Sequence, residues 1–187
     1  MPVSAVQPSH SSLLSNAAGG VGSLASQWAR QLGATVIGVV STDEKAELAK
    51  SQGCDHVIMA DDDITARVRA LTGGEGVAAV YDSVGRDTFT ASLDSLRFHG
   101  TMVSFGNASG PVDPVAPLEL AQRGSLYLTR PILFHFIRTR AELLTASDEL
   151  FAAMENGMAV RIGQTYALEN AEQSYRDCEL HQKTRTD

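Results

Sequence analysis

Cysteine is scarce in this chain: Cys54 and Cys178 are the only two among 187 residues. That excludes a disulfide-stapled scaffold. Neither has a partner at metal-ligand spacing, so reduced thiols in a cytoplasmic protein are expected. Long apolar runs are missing as well. None approaches the roughly 20 residues that a membrane helix needs, so no membrane partner is expected. Met1 to Ser12 lacks the basic start and apolar core of a secretory leader. Positive charge is in deficit, with 15 Lys and Arg against 22 Asp and Glu and a net charge of −7. Nucleic acid and anionic surfaces require a basic face, so neither is an expected partner. The five histidines, His10, His56, His99, His135 and His181, are scattered without metal-site spacing. Ser83, Ser104 and Ser125 sit in no motif that would activate a nucleophile. No protein acid, base or metal is evident, and catalytic residues are left unassigned.

What is present is a globular composition, 43% hydrophobic and 20% charged, long enough for one domain with a sizeable core. The chain is organised around Asn16-Ala17-Ala18-Gly19-Gly20-Val21-Gly22. Leu13 and Leu14 run into it and an amphipathic helix runs out. Small residues at such a bend leave peptide N–H groups uncovered at a helix N-terminus, where an anionic phosphate can sit. A turn alone also explains such a cluster, so the other strand ends must decide.

Met1 to Ser11 is polar and reads as a linker, with a first strand over Ser12 to Ser15. In the helix after the glycines, Val21, Leu24, Ala25, Trp28, Ala29 and Leu32 share one face. Ala34 to Val40 is a β-branched run suited to a parallel strand buried on both faces. Ser41 to Glu44 has a capping-box pattern and opens a second helix. The alternation then repeats: a strand at His56–Met59, a helix over Asp61–Leu71, a strand at Val77–Tyr81, a helix over Arg86–Leu96. A strand at Thr101–Phe105, a short helix at Leu118–Arg123 and a sixth strand at Ser125–Thr129 follow. Thr139 to Asn156 is expected as a long helix that buries Leu143, Leu144, Leu150, Phe151 and Met154. Val160 to Tyr166 is expected to be extended, and Glu169 to Gln182 helical.

Strands alternating with helices predict an α/β fold, an open parallel sheet with helices on both faces. Ligands of such sheets bind at the carboxyl ends of the strands. Those ends carry Gly19-Gly20, Ser41-Thr42, Ser83-Val84-Gly85 and Gly106-Asn107, all small or polar. They suit a crevice for an extended ligand. A dinucleotide fold usually ends its second strand in an acid that bonds the adenosine ribose. Ser41 stands there instead and leaves room for a 2′-phosphate, with Lys45 one turn further on. A charge-assisted bond from Lys45 to that phosphate would contribute about 1.5–3 kcal/mol. NADP(H) is therefore favoured over NAD(H). Asp43 and Glu44 keep the alternative open, since they could bond ribose hydroxyls, and a solvated Lys45 beside a helix-capping Ser41 is the blander reading. A methyltransferase on the same glycine bend would want an acid where Ser41 stands. A cofactor site without protein acid, base or metal suits direct hydride transfer.

Several stretches together resemble one family: AAGGVG (Ala17–Gly22), VSTDEKA (Val40–Ala46), LTGGEGV (Leu71–Val77), VYDSVG (Val80–Gly85), SFGNASG (Ser104–Gly110) and GSLYLTRP (Gly124–Pro131). They are similar to the NADPH:quinone oxidoreductases, the zeta-crystallin-like, zinc-free branch of the medium-chain dehydrogenase/reductase superfamily. The resemblance runs from about Val6 to Lys183. It implies a Rossmann domain, a doubly wound parallel sheet of six strands, over residues 12–187, with 1–11 the remnant of a linker. It implies that Gly19, Gly20, Val21 and Gly22 approach the pyrophosphate and that Ser41 and Lys45 meet the 2′-phosphate. Ser83 and Val84 would line the adenosine–ribose side, and Phe105, Gly106 and Asn107 the nicotinamide half. Lys183 would stand for an arginine aimed at the 2′-phosphate; it keeps the charge but not the bidentate fork. The expected substrate is a quinone or small conjugated carbonyl, and the Ser125–Thr129 strand would pair with its copy in a homodimer. The chain departs from the family in lacking a preceding barrel-like substrate domain and the last strand that returns to it. Asn16 replaces the usual alanine, and Met59-Ala60-Asp61 stands where a tyrosine is common. A non-catalytic NADP(H)-binding module is the alternative expectation.

Overall fold

The computed structural model describes residues 8–162 and 164–183. The first glycine-rich bend links β1 (Ser11–Ser15) to α1 (Gly20–Gln31). Then come β2 (Thr35–Val40), α2 (Asp43–Ser51), β3 (His56–Met59) and α3 (Ile64–Leu71). The second half holds β4 (Val77–Asp82), α4 (Phe89–Asp94), β5 (Leu96–Ser104), α5 (Pro117–Gln122) and β6 (Tyr127–Thr129). Two helices, α6 (Arg140–Glu155) and α7 (Ala171–Lys183), follow. All strand pairs are parallel, in the order β3-β2-β1-β4-β5-β6. This is the Rossmann topology, with its switch point between β1 and β4.

One face of the sheet packs on α3 and α4 through Leu13, Ile37, Ile58, Val80, Leu93 and Met102. The other face packs on α1 and α2 through Leu14, Ala17, Ala29, Val36, Val40 and Ala49. The β-branched run of β2 is buried on both sides, as its composition requires. On the α1 side the contacts are small. Gly22, Ser23, Ser26 and Ala29 face the sheet, so the helix axis comes close to it.

Several elements differ from expectation. The helix expected from Arg86 begins only at Phe89, because Asp82 accepts Val84 N–H, Gly85 N–H and the Thr88 hydroxyl and holds that segment as a turn. Leu96 leaves the helix to pair with Val77 in β5. Asp63, not Asp61, opens α3, its carboxylate accepting Ala66 N–H at 3.0 Å. Part of the expected linker is folded: Ser9 N–H donates to Gly33 O, and Thr35 N–H to His10 O. Residues 1–7 lie outside the described residues. No strand forms over the described residues between 160 and 166.

The largest correction concerns α6. Its capping box at Thr139 and Glu142 forms, but Leu143, Leu144, Leu150, Phe151 and Met154 are all exposed, Phe151 by 59%. Only Ala153 is buried. The helix is held to α1 by polar tethers rather than by its apolar stripe. Gln31 Nε2 donates to Ala153 O and Asn156 O, each at 3.1 Å, and Gln27 bonds both Ala159 O and Ala159 N–H. The helix therefore stands off the sheet. An apolar cavity of about 820 Å³ opens between α1, α6 and the ends of β1, β4 and β5, lined by Leu14, Leu24, Trp28, Tyr81, Phe105 and Leu150. No helix among the described residues is long and apolar enough to cross a membrane.

Candidate functional site

The expected site residues gather where β1, β2, β4 and β5 end. At the end of β1, Gly19 occupies the N-cap of α1 and supplies no side-chain cap. The first helical bond runs from Ser23 N–H to Gly19 O at 2.9 Å. The amides of Gly20, Val21 and Gly22 precede it and have no intrahelical acceptor. α1 carries no acid in its first turn, so its positive end is not neutralised locally. The residue at 22 must be glycine for packing: a Cβ there would lie 2.3 Å from Asn16 O and 2.9 Å from Ala17 Cα. The close approach of α1 to the β1 turn thus rests on Gly22, while Gly20 faces open space.

At the end of β2, Ser41 is exposed and accepts a hydrogen bond from Lys45 Nζ at 2.7 Å. Ser41 is not the cap of α2. Thr42 takes that place, its hydroxyl accepting Lys45 N–H at 3.3 Å. The hydrogen bond with Thr42 holds the Glu44 carboxylate below its usual range, with smaller help from Lys45. Thr42 has the extended backbone that a cap needs, and this leaves the Ser41 hydroxyl to the lysine.

At the end of β4, Ser83 and Val84 are half-buried. Their loop is organised by Asp82, which is fully buried. Its carboxylate accepts Val84 N–H at 2.7 Å, Gly85 N–H at 3.0 Å, Thr88 Oγ1 at 2.7 Å and Ser92 Oγ at 2.8 Å. Ser15, the last residue of β1, joins from across the switch point: its hydroxyl lies 3.4 Å from Asp82 Oδ1 and accepts Ser83 N–H at 2.8 Å. At the end of β5, Phe105 and Gly106 are half-buried and Asn107 is exposed. A Cβ on Gly106 would come 2.2 Å from Ser83 O, so glycine lets the β4 and β5 loops touch. Arg130, just past β6, donates from Nη1 to Gly106 O at 2.9 Å and reaches Ser104 Oγ and Asn107 Oδ1 at 3.3 Å.

The structure thus brings together Gly19 to Gly22, Ser41 with Lys45, Ser83 with Val84, and Phe105 to Asn107. Lys183 ends α7, but its side chain lies outside the described residues. Sequence reasoning gave no role to Ser15, Asp82 or Arg130. The one available signal was Asp82, an acid that ends an otherwise apolar strand.

A family model described as zinc-binding dehydrogenase matches residues 20–156. A quinone oxidoreductase of Salmonella typhimurium is 49% identical over 174 residues, covering 91% of this chain and 53% of that protein. A 2-haloacrylate reductase of a Burkholderia species is 45% identical over 174 residues, covering 91% of this chain and 52% of that protein. Among solved structures, a mycobacterial protein complexed with NADPH superposes with a TM-score of 0.90 at 46% identity, over 97% of this chain and 56% of that one. The Escherichia coli quinone oxidoreductase complexed with NADPH gives 0.84 at 44% identity, over 96% of this chain and 55% of that one. The chain spans about half the length of the relatives it matches. Among the described residues no group of three or more His, Cys, Asp or Glu side chains could hold a metal ion. Zinc therefore finds no donor set among them.

Proposed function

The chain belongs to the zinc-binding dehydrogenase family, and from that premise we propose that it is the nucleotide-binding part of an NADPH-dependent quinone oxidoreductase. The observation that carries this reading is the uncapped, acid-free start of α1, drawn against the β1 turn by Gly22, with the Ser41–Lys45 pair at the neighbouring strand end. Gly19, Gly20, Val21 and Gly22 would hold the pyrophosphate by backbone N–H groups. Lys45 and Ser41 would hold the adenosine 2′-phosphate, the lysine turning its Nζ from the serine hydroxyl to the anion. Ser83 and Val84 would line the adenosine ribose. Phe105, Gly106 and Asn107 would border the nicotinamide, with Arg130 fixing their loop. NADPH, when bound, supplies the hydride that a quinone or conjugated carbonyl accepts. The chain's own residues bind and orient; none is assigned as acid or base.

We also propose that the open apolar cavity between α1 and α6 is where the rest of such a protein packs. Two copies would pair along β6, which stands at the sheet edge with Tyr127, Leu128 and Thr129 all exposed. Cys54, a buried free thiol whose ionisation burial disfavours, supports a cytoplasmic setting. The test is steady-state oxidation of NADPH by this 187-residue chain with small quinones. Cofactor binding with little turnover is expected, because the chain spans about half the length of the relatives it matches. Rapid turnover would refute the need for a further domain, and turnover with NADH alone would refute the cofactor assignment.

A further inference from the structure

We infer that the amino ends of β4, β5 and β6 form a second site, which takes a small oxyanion, carboxylate or phosphate, carried on an aromatic ring. A cavity of about 720 Å³ opens there, and Arg69, Glu75, Arg97, Phe98, His99 and Arg123 line it. Arg97 and Phe98 stand at the start of β5, while Glu75 precedes β4 and Arg123 precedes β6. The strands are parallel, so this is the end of the sheet opposite the glycine bend. Arg69 is oriented by backbone carbonyls: Nη1 donates to Gly74 O at 3.0 Å and Glu75 O at 2.6 Å, and Nη2 to Asp94 O at 2.8 Å and Leu96 O at 3.0 Å. Carbonyls fix a guanidinium without cancelling its charge. Arg123 is fixed and neutralised, by Asp94 at 2.8 Å and Glu119 at 3.3 Å. Arg97 differs from both. It is half-buried, and its Nη2 meets the His10 ring at Nε2, 3.2 Å away. Among the described residues neither Arg69 nor Arg97 belongs to an ion pair. A partly desolvated guanidinium without a carboxylate matches the planar fork of a carboxylate or the oxygens of a phosphate. Phe98 supplies the apolar wall. Its ring lies over Gly124, where a Cβ would strike it, yet Phe98 remains 78% exposed. His99 holds the turn beside it, with a φ of 58° and its N–H donating to Gly124 O at 2.9 Å. An anion on Arg97 therefore has an open aromatic face next to it, on which a second ring can stack.

The inference does not rest on the proposed cofactor site, and the test keeps the two apart. Phenyl phosphate and benzoate are titrated by calorimetry against the full chain and the variants Arg97→Gln, Phe98→Ala and Lys45→Ala. Saturable binding of at least one probe to the unaltered chain is expected, and the tighter probe identifies the oxyanion. Arg97→Gln should weaken it by at least roughly ten-fold, the share of a charge-assisted hydrogen bond. Phe98→Ala should weaken it roughly three- to ten-fold, the share of ring stacking. Lys45→Ala, at the other end of the sheet, should change it less than about two-fold. Phe98 is exposed, so Phe98→Ala still decides if Arg97→Gln fails to fold. No saturable binding of either probe would overturn the inference. So would binding that Phe98→Ala leaves unchanged, or that folded Arg97→Gln leaves unchanged. A loss in Lys45→Ala as large as in Arg97→Gln would overturn it too, by placing the probe in the nucleotide crevice.

Discussion

Lys45 Nζ donates a hydrogen bond to Ser41 Oγ at 2.7 Å, across the start of α2 at the end of β2. The pair stands where a dinucleotide fold usually places an acid on the ribose. Replacing Lys45 by alanine should remove a charge-assisted contact to the 2′-phosphate of about 1.5–3 kcal/mol. NADPH affinity should then fall roughly ten- to hundred-fold while NADH affinity changes less than about two-fold. Calorimetric titration of Lys45→Ala with both nucleotides checks this. Equal losses would mean that the lysine supports the fold rather than reads the phosphate.

Asp82 makes the second prediction. Its carboxylate is buried and accepts only, with five donors converging on it from the 83–85 loop, α4 and β1. Asp82→Asn keeps the shape but turns an N–H group toward some of those donors. A cost of about 2–4 kcal/mol is expected, seen as a fall in melting temperature of roughly 5–15 °C. A variant within about 1 °C of the parent would show that the network carries little energy.

Two glycines of the same bend, Gly20 and Gly22, should differ in what they do to stability. Gly22→Ala drives a methyl onto Asn16 O and Ala17 Cα, both backbone atoms, at 2.3 and 2.9 Å. The helix must then move off the β1 turn, and both stability and NADPH binding should drop. Gly20→Ala meets nothing within 4 Å. Its stability should hold or rise by up to about 1 kcal/mol through helix propensity, while NADPH affinity falls because the methyl crowds the anion. Thermal melts and titrations of both variants decide; a destabilised Gly20→Ala would contradict the open space above it.

Tyr81 gives a pH dependence. Burial pushes its phenol from about 10 up to about 12. The folded chain keeps this proton where the unfolded chain has begun to lose it. Its contribution to stability is complete below pH 10 and is lost as pH rises toward 12. Stability measured by chemical unfolding should therefore fall as pH rises from 9 to 11, and Tyr81→Phe should flatten that slope. An unchanged slope in the variant would place the titration elsewhere.

Much of the fold could be read from local signals because those signals report burial directly. The β-branched run of β2 lies inside the sheet between β3 and β1, and the small residues at four strand ends gather on one side of it. What misled was pattern without partner. The apolar residues of α6 have the spacing of a buried face, yet only Ala153 is buried, because Gln27 and Gln31 tether the chain around that helix's end to α1 and leave the cavity open. Spacing says which side of a helix is apolar, not what stands opposite. Capping was misread at Ser41 for a related reason. Ser41 and Thr42 both suit a cap by composition, and the extended backbone of Thr42 decides. The Asp82 and Arg130 networks join residues far apart in the chain, so no short motif could reveal them.

The ends of β1 and β2 are expected to hold NADP(H) in preference to NAD(H). Calorimetric titration of the 187-residue chain with NADPH and with NADH tests it most directly. Saturable binding of NADPH, at least about ten times tighter than NADH, is expected. No saturable binding of NADPH, or equal affinity for the two, would contradict it.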